Sequence, residues 1–372
     1  MRICFIDYSD INTGYGTSNW LREVTTRLAI SHDIEVITTR VGQITANVES
    51  DVIRKNVSVS KISVLSGSSI PTYSSFRLLQ EHFKNSDIVY FIHAPGGLEI
   101  ANFLLQKLTN TPLISGHHQP ITSPQFGGEV LSSTRLYYDI FGFRANKIVK
   151  LVRYQHALNS TTYSNLINLR DKRVYLIPYG VDTNEFRAES KSDTFSLLFI
   201  GRLDPQKGAD LLPIIVKELH KKIPAFRFYI AGDGYFAPLI RELALRDSFV
   251  RYLGYVIGIH KLDLYATSHI LVMPSRYEEF GLVALEALAS GTPVIAFNSA
   301  GPSEFIENGS NGFLVKDVGE MAQKIIQMYE LWVSQVKYKT IVNNCLHTAK
   351  KFDWKVIVDR LGMMFEDVKR DY

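Results

Sequence analysis

Two carboxylates, Glu278 and Glu286, stand eight positions apart in the run Pro274-Ser275-Arg276-Tyr277-Glu278-Glu279-Phe280-Gly281-Leu282-Val283-Ala284-Leu285-Glu286-Ala287. Eight residues of α-helix rise roughly 12 Å over a little more than two turns, so both acids can face one side. That is too far for the paired carboxylates of glycoside hydrolysis, which stand roughly 5–9.5 Å apart. It suits two separate hydroxyl-bearing parts of one long ligand. The free N–H groups near Gly281 and Leu282 fall between the acids, an anion site where a helix begins. Acid, anion site and acid match sugar, diphosphate and ribose, the shape of a nucleotide sugar. The plainer alternative is a capping acid followed by a polar helix face.

A second cluster lies about seventy residues upstream. The apolar run Leu197 to Ile200 reads as a strand and leads into Gly201-Arg202-Leu203-Asp204-Pro205-Gln206-Lys207-Gly208, after which a helix begins near Ala209. Two cations on one strand-to-helix loop can clamp a diphosphate, Arg202 through its bidentate fork and Lys207 as a compact point charge. A surface loop with two solvated charges is the competing reading.

These segments resemble glycosyltransferase family 4, retaining enzymes of the GT-B fold, whose E-x7-E motif is matched by Glu278 and Glu286. The resemblance covers nearly the whole chain and is densest from Ile177 to Val315. It implies an α/β fold of two Rossmann-like, doubly wound domains facing each other across a cleft. It also implies transfer of a sugar from a nucleoside-diphosphate sugar to an acceptor hydroxyl, with retention of configuration. Glu278 would then bind the transferred sugar and Glu286 the ribose hydroxyls. Arg202 and Lys207 would stabilise the departing diphosphate, with Phe280, Gly281 and Leu282 completing the nucleotide-sugar site. Tyr229-Ile230-Ala231-Gly232-Asp233-Gly234 and Ile177-Pro178-Tyr179-Gly180-Val181-Asp182 resemble further signatures, the latter with Tyr179 where Asn is commoner. In Ala300-Gly301-Pro302-Ser303-Glu304 the amides of Gly301 and Ser303 are expected to touch sugar or phosphate, with Glu304 supporting the loop. Glu279 departs from the small residue usual beside the first acid.

For the first half the resemblance implies an acceptor side. Thr13-Gly14-Tyr15-Gly16-Thr17 follows the first strand, and Gly14 and Gly16 are expected near the donor phosphates. Asn19 replaces the third glycine of a dinucleotide fingerprint. Leu113-Ile114-Ser115-Gly116-His117-His118 is a strand ending in two histidines, and His118 matches the family's active-site histidine. His117 stays open as the one that faces the ligand, because a one-residue shift swaps faces along a strand. His93, on another strand-to-helix loop, ranks below both. No protein nucleophile is assigned. The rival functions are a non-catalytic nucleotide-sugar-binding protein and a GT-B sugar epimerase or phosphorylase. The acceptor is open among glycans, lipid-linked and small molecules.

The elements that must position these residues alternate strand and helix from end to end, which predicts two parallel sheets. Strands are expected near 2–7, 34–38, 87–92 and 112–116, then near 196–200, 226–231, 249–252, 270–273 and 293–297. At 372 residues the chain exceeds one ordinary core. Expected domains are 1–185 and 186–352, joined around Asp182 to Thr194. A last helix, about 353–372, carries the stripe Trp354, Ile357, Val358, Leu361 and Phe365 and packs on the first domain or the second. A composition of 46% hydrophobic and 21% charged residues is that of a soluble globular protein. No apolar run reaches the length of a membrane helix. Between Leu131 and Arg173 eight basic residues face two acids, a local +6 with interleaved aromatics. That composition suits either an anionic membrane surface or an ordinary solvated helix. Nucleic-acid binding has no further support. Only Cys4 and Cys345 occur, which gives neither a disulfide framework nor a zinc quartet and points to the cytoplasm. With no Asp-x-Asp motif, neither a metal nor any other cofactor is expected.

Overall fold

The computed structural model describes residues 1–7, 16–39, 57–62, 71–92, 97–118 and 151–372. Gly14, His93 and residues 131–150 of the basic, aromatic segment lie outside the described residues. Contacts divide the chain into two units, Met1–Tyr179 with Trp354–Tyr372, and Gly180–Asp353.

The first unit contains β1 (Arg2–Asp7), α1 (Gly16–Leu28), β2 (Asp33–Thr39), β3 (Val57–Ile62), α2 (Tyr73–Lys84), β4 (Ile88–Ile92), α3 (Gly97–Thr109), β5 (Leu113–His117), β6 (Tyr154–Ala157), α4 (Ser160–Ile167) and β7 (Arg173–Leu176). The strands form one parallel sheet in the order β3-β2-β1-β4-β5-β6-β7. Strand alternation sorts the apolar residues onto two faces. Cys4, Ile6, Val89 and Phe91 pack with Leu79, Phe83, Leu98 and Leu105 of α2 and α3. Phe5 and Tyr90 turn the other way, against Trp20 of α1 and Phe365, with Phe5 and Phe365 edge-to-face at 5.9 Å. Burial on both faces is what makes such strands read as near-continuous apolar runs.

The last helix of the chain (Trp354–Asp371) belongs to this unit. Trp354, Ile357, Leu361 and Phe365 are buried as the stripe requires, whereas Val358 is only half-buried. Its polar side is tied to β6 and β7: Asp367 pairs with Arg173 at 2.9 Å, Asp371 pairs with Arg153 at 3.0 Å, and Arg360 donates to the Leu176 carbonyl at 2.6 Å. Two cations of the basic segment are thus neutralised within the fold. The described part of that segment is also not one solvated helix, because residues 154–157 form a buried strand. No helix among the described residues is long and apolar enough to cross a membrane.

The second unit contains β8 (Ser196–Ile200), α5 (Leu212–Leu219), β9 (Arg227–Ala231), α6 (Ala237–Arg246), β10 (Val250–Gly254), α7 (Gly258–Thr267), β11 (Ile270–Met273), α8 (Leu282–Ala289), β12 (Val294–Phe297), β13 (Gly312–Val315), α9 (Val318–Ser334) and α10 (Val336–Lys350); the last helix of the first unit is α11. Its strands are parallel in the order β10-β9-β8-β11-β12-β13. The strand order reverses between β8 and β11, the place where open α/β sheets bind ligands. The stretch expected as a linker is held in this unit. Lys191 donates to the carbonyls of Ala266 (2.9 Å) and Ser290 (3.2 Å), at the ends of α7 and α8.

Candidate functional site

The loops following β8 and β11 carry most of the candidate residues, and they meet at the switch point of the second unit. Lys207 on the first loop donates to Glu278 Oε1 on the second at 2.6 Å. Glu278 is almost wholly buried and Lys207 keeps about a fifth of its surface. Further contacts lock the loops together, among them Arg276 to the Pro205 carbonyl at 2.6 Å. Arg276 grips Asp210 in a bidentate pair at 2.7 and 2.8 Å, its N–H reaches the Gln206 carbonyl at 2.9 Å, and Gln206 donates to the Tyr277 carbonyl.

Gly208 shows how close this approach is. Its φ is +69°, and a Cβ there would lie 2.1 Å from the Pro274 carbonyl oxygen. Both strain and overlap oppose any side chain. Gly208→Ala is therefore expected to destabilise the protein by about 2 kcal/mol or more, read as a lower unfolding midpoint in denaturant. An unchanged midpoint would show that the two loops are not packed this tightly.

Arg202 lies on the exposed side of the same loop, held by Asp204 at 3.0 Å and Gln206 at 3.0 Å. Asp204 also accepts from the Lys207 backbone N–H at 2.9 Å, so one carboxylate orders both cations. The loop's backbone is fixed in turn by the Gly232–Phe236 turn, through Leu203 N–H to the Asp233 carbonyl and Phe236 N–H to the Leu203 carbonyl, each 2.8 Å.

Glu278 lies ahead of the helix, not on it. Gly281 takes a left-handed conformation, φ +89°, and α8 begins at Leu282 without a side-chain cap. The helical spacing expected for the two acids applies only to Glu286. Its helix, Leu-Val-Ala-Leu-Glu-Ala-Leu-Ala, is built from strong helix formers and is buried around Ala284, Leu285, Ala287 and Leu288. Glu286 is its one ionisable residue. Lys261 Nζ lies 2.7 Å from its Oε1, and the Tyr265 hydroxyl donates to Oε2 at 2.7 Å. Burial and the neighbouring carboxylate push the Tyr265 phenol well above its ordinary pKa, so it stays a donor.

Several expected contacts are redirected. The Phe280 ring is buried against Phe305 at 5.4 Å, and its backbone packs on Gly301, where a Cβ would lie 2.3 Å from the Phe280 Cα. The Gly301 amide donates to the Glu278 carbonyl at 3.0 Å and the Ser303 amide to the Ser299 carbonyl at 3.2 Å. These amides therefore shape the loop. Glu279 accepts from the Tyr277 hydroxyl.

In the first unit, Gly16 opens α1. His117 and His118 point to opposite faces, and both are buried. His117 Nε2 faces Gln155 Oε1 at 2.6 Å. His118 enters a chain of buried groups: Tyr179 OH at 2.8 Å from Nδ1, Tyr90 OH at 2.9 Å from Nε2, then His156 Nδ1 at 2.6 Å and the Ile177 carbonyl at 2.7 Å from His156 Nε2. Both His118 ring nitrogens are thus engaged. Its rim is Trp20, edge-on at 4.4 Å. Burial, reinforced by neighbouring histidines, holds His118 well below its ordinary pKa, and burial pushes His156 down to about 4.

Sequence reasoning missed Lys261, Tyr265, Arg276, Asp210, Tyr90 and His156. Only the i, i+4 spacing of Lys261 and Tyr265, which puts both on one helix face, was available as a signal. Among the described residues, no group of three or more His, Cys, Asp or Glu side chains is arranged to hold a metal ion.

Comparison with known proteins gives this geometry a class. The fold is that of the GT-B glycosyltransferases: sucrose-phosphate synthase from Thermosynechococcus elongatus superposes with a TM-score of 0.81 at 18% identity over 100% of both chains. Anabaena HepE in complex with UDP-glucose superposes with a TM-score of 0.75 at 19% identity, over 99% of this chain and 100% of the other. At such identity the likeness shows the fold alone.

Residues 194–331, within the second unit, match the family described as glycosyl transferases group 1. An uncharacterized glycosyltransferase of Methanocaldococcus jannaschii is 34% identical over 171 residues, 44% of this chain and 43% of the relative. D-inositol 3-phosphate glycosyltransferase 2 of Catenulispora acidiphila is 31% identical over 207 residues, 49% of this chain and 48% of the relative. Each of these matches spans less than half of the relative's length.

Proposed function

We propose that the protein transfers a sugar from a nucleoside-diphosphate sugar to an acceptor hydroxyl, with retention of configuration and without a metal. The observation that carries this reading is the Lys207–Glu278 pair at the switch point of the second unit, within the residues that match group 1. One ammonium hydrogen is spent on Glu278, and among the described residues the other two have no acceptor and can address phosphate oxygens. Glu278 keeps lone pairs for a sugar hydroxyl. Sugar and diphosphate would therefore be read by two side chains that already touch each other.

Arg202 would exchange Gln206 or Asp204 for phosphate and so bring a second fixed cation to the leaving group. The start of α8, with no side-chain cap, adds N–H donors. Together these groups offset the charge that develops as the sugar–phosphate bond breaks, which is where preorganised electrostatics contribute most to rate. Two protein cations then take the part of a bridging metal, in keeping with the missing Asp-x-Asp motif. Retention rests on the resemblance to family 4 and needs no protein nucleophile.

The test is thermal unfolding with UDP, GDP, ADP and dTDP in the presence of EDTA. One nucleotide is expected to raise the midpoint, because a ligand bound only by the native state stabilises it. The rise should vanish in Arg202→Ala. A rise seen only with magnesium would overturn metal independence. No rise with any nucleotide, with or without magnesium, would overturn the reading itself.

A further inference from the structure

Among the described residues, Glu286 is held from one side. Lys261 and Tyr265 stand one helical turn apart on α7 and each takes a different oxygen of the carboxylate, both at 2.7 Å. Two donors on two oxygens fix the plane of the carboxylate as well as its position. The donors are themselves fixed. Tyr265 is fully buried, its ring 5.8 Å from Phe186. The Lys261 ammonium lies 5.4 Å from the centre of the Phe186 ring and 5.9 Å from that of Tyr265, so among the described residues two aromatic rings flank it and Glu286 is its one acid partner. The backbone of α7 is anchored at its end, where Thr292 Oγ1 donates to the Tyr265 carbonyl at 2.6 Å and Lys191 to the Ala266 carbonyl at 2.9 Å.

An ionised carboxylate has about four acceptor positions, and this one has two filled from α7. The remaining positions, one or more on each oxygen, form a planar pair of acceptors on a side chain that is still partly exposed. Two acceptors in one fixed plane match two neighbouring hydroxyls.

We propose that Lys261 and Tyr265 are positioning residues that aim Glu286 at a vicinal diol, and that this triad makes the site select ribonucleotides over 2′-deoxyribonucleotides. The inference rests on the nucleotide-sugar reading given above. With either donor removed, the carboxylate is free to rotate, and its two bonds to a diol no longer form together.

The experiment is calorimetric binding of UDP, GDP and ADP, each against its 2′-deoxy counterpart, and of dTDP, to the wild type, Lys261→Met, Tyr265→Phe and Lys261→Arg. For the nucleotide that binds, the wild type should favour the ribose form by about tenfold or more, the scale of one lost charge-assisted hydrogen bond. In Lys261→Met and Tyr265→Phe that ratio should fall toward one, while affinity for the deoxy form changes little. Lys261→Arg should restore most of it. Loss of fold would weaken both forms alike and leave the ratio untouched, so the ratio separates positioning from stability. A ratio kept in both variants, or a wild-type ratio near one, overturns the inference alone. Binding of dTDP in place of these three overturns the inference alone, whereas absence of binding by all four overturns the nucleotide-sugar reading and the inference with it.

Discussion

Lys207→Ala is expected to lower kcat/KM for sugar transfer by about a hundredfold or more, the scale seen when a single preorganised charge-stabilising group is removed. Two losses combine. The leaving diphosphate loses the ammonium that would meet its developing charge. Glu278, almost wholly buried and 2.6 Å from that ammonium, loses its cation. An uncompensated buried carboxylate is costly, so the loop would rearrange or draw in water, and the sugar would lose a fixed acceptor. Glu278→Gln should lose activity on the same scale while nucleoside diphosphate still binds. Because the two side chains act as one unit, the double variant should be little worse than the weaker single one. Steady-state kinetics of the three variants check this. Additive losses would show that the ammonium and the carboxylate serve separate steps, and a loss under about threefold in Lys207→Ala would remove Lys207 from the chemistry.

What the sequence disclosed about this site follows from where the information lies. Arg202 and Lys207 share one loop, and Glu278 and Glu286 share one strand-loop-helix unit, so short-range spacing beside apolar strands was enough to find them. The helix start near Gly281 and Leu282 was legible too, and α8 begins at Leu282; what was not legible is that the left-handed turn at Gly281 takes Glu278 off the helical spacing. The partners of Glu286 were not legible either. Lys261 and Tyr265 stand 25 and 21 residues away, and only the packing of α7 beside α8 brings them together. In the fold, strands with long apolar runs were found where expected. The strands β3, β6, β7 and β13 were missed, and their residues explain why. Val57–Ile62 is an edge strand half made of Ser58, Ser60 and Lys61, Tyr154–Ala157 contains Gln155 and His156, and Arg173–Leu176 is a half-buried edge. Gly312–Val315 lies on the opposite edge of the second sheet and starts with glycine. The buried polar pairs that make Gln155 and His156 possible in a sheet lie 38 and 66 positions off.

Those pairs lead to the largest stability effect expected of a single substitution, Tyr90→Phe, at about 2–5 kcal/mol from two orphaned buried groups. The proton positions along the chain of groups follow from its end. The Ile177 carbonyl only accepts, so His156 Nε2 carries the hydrogen and, in a neutral ring, Nδ1 is bare. Tyr90 must then donate to His156 Nδ1, and its oxygen accepts from His118 Nε2–H. That leaves His118 Nδ1 to accept from Tyr179. One hydroxyl thus serves as both donor and acceptor between two fully buried rings, and phenylalanine can do neither. The space is tight as well: a Cβ on Gly116 would lie 1.9 Å from the Tyr90 oxygen, so no larger neighbour can take over. The arrangement holds only while both rings are neutral. Burial lowers both pKa values, His156 to about 4, so the native state binds fewer protons than the unfolded chain below the ordinary histidine value of about 6.5. This contribution to stability is complete above that value and is lost as pH falls from it toward 4. Hydrogen exchange of the β4, β5 and β6 amides measures the effect locally, without requiring the two units to unfold together. Exchange should accelerate in Tyr90→Phe at pH 7, and in the wild type the opening free energy should fall between pH 6.5 and 5. Protection unchanged in the variant would mean that water replaces the hydroxyl at no cost, and that His118 is free to turn toward a ligand.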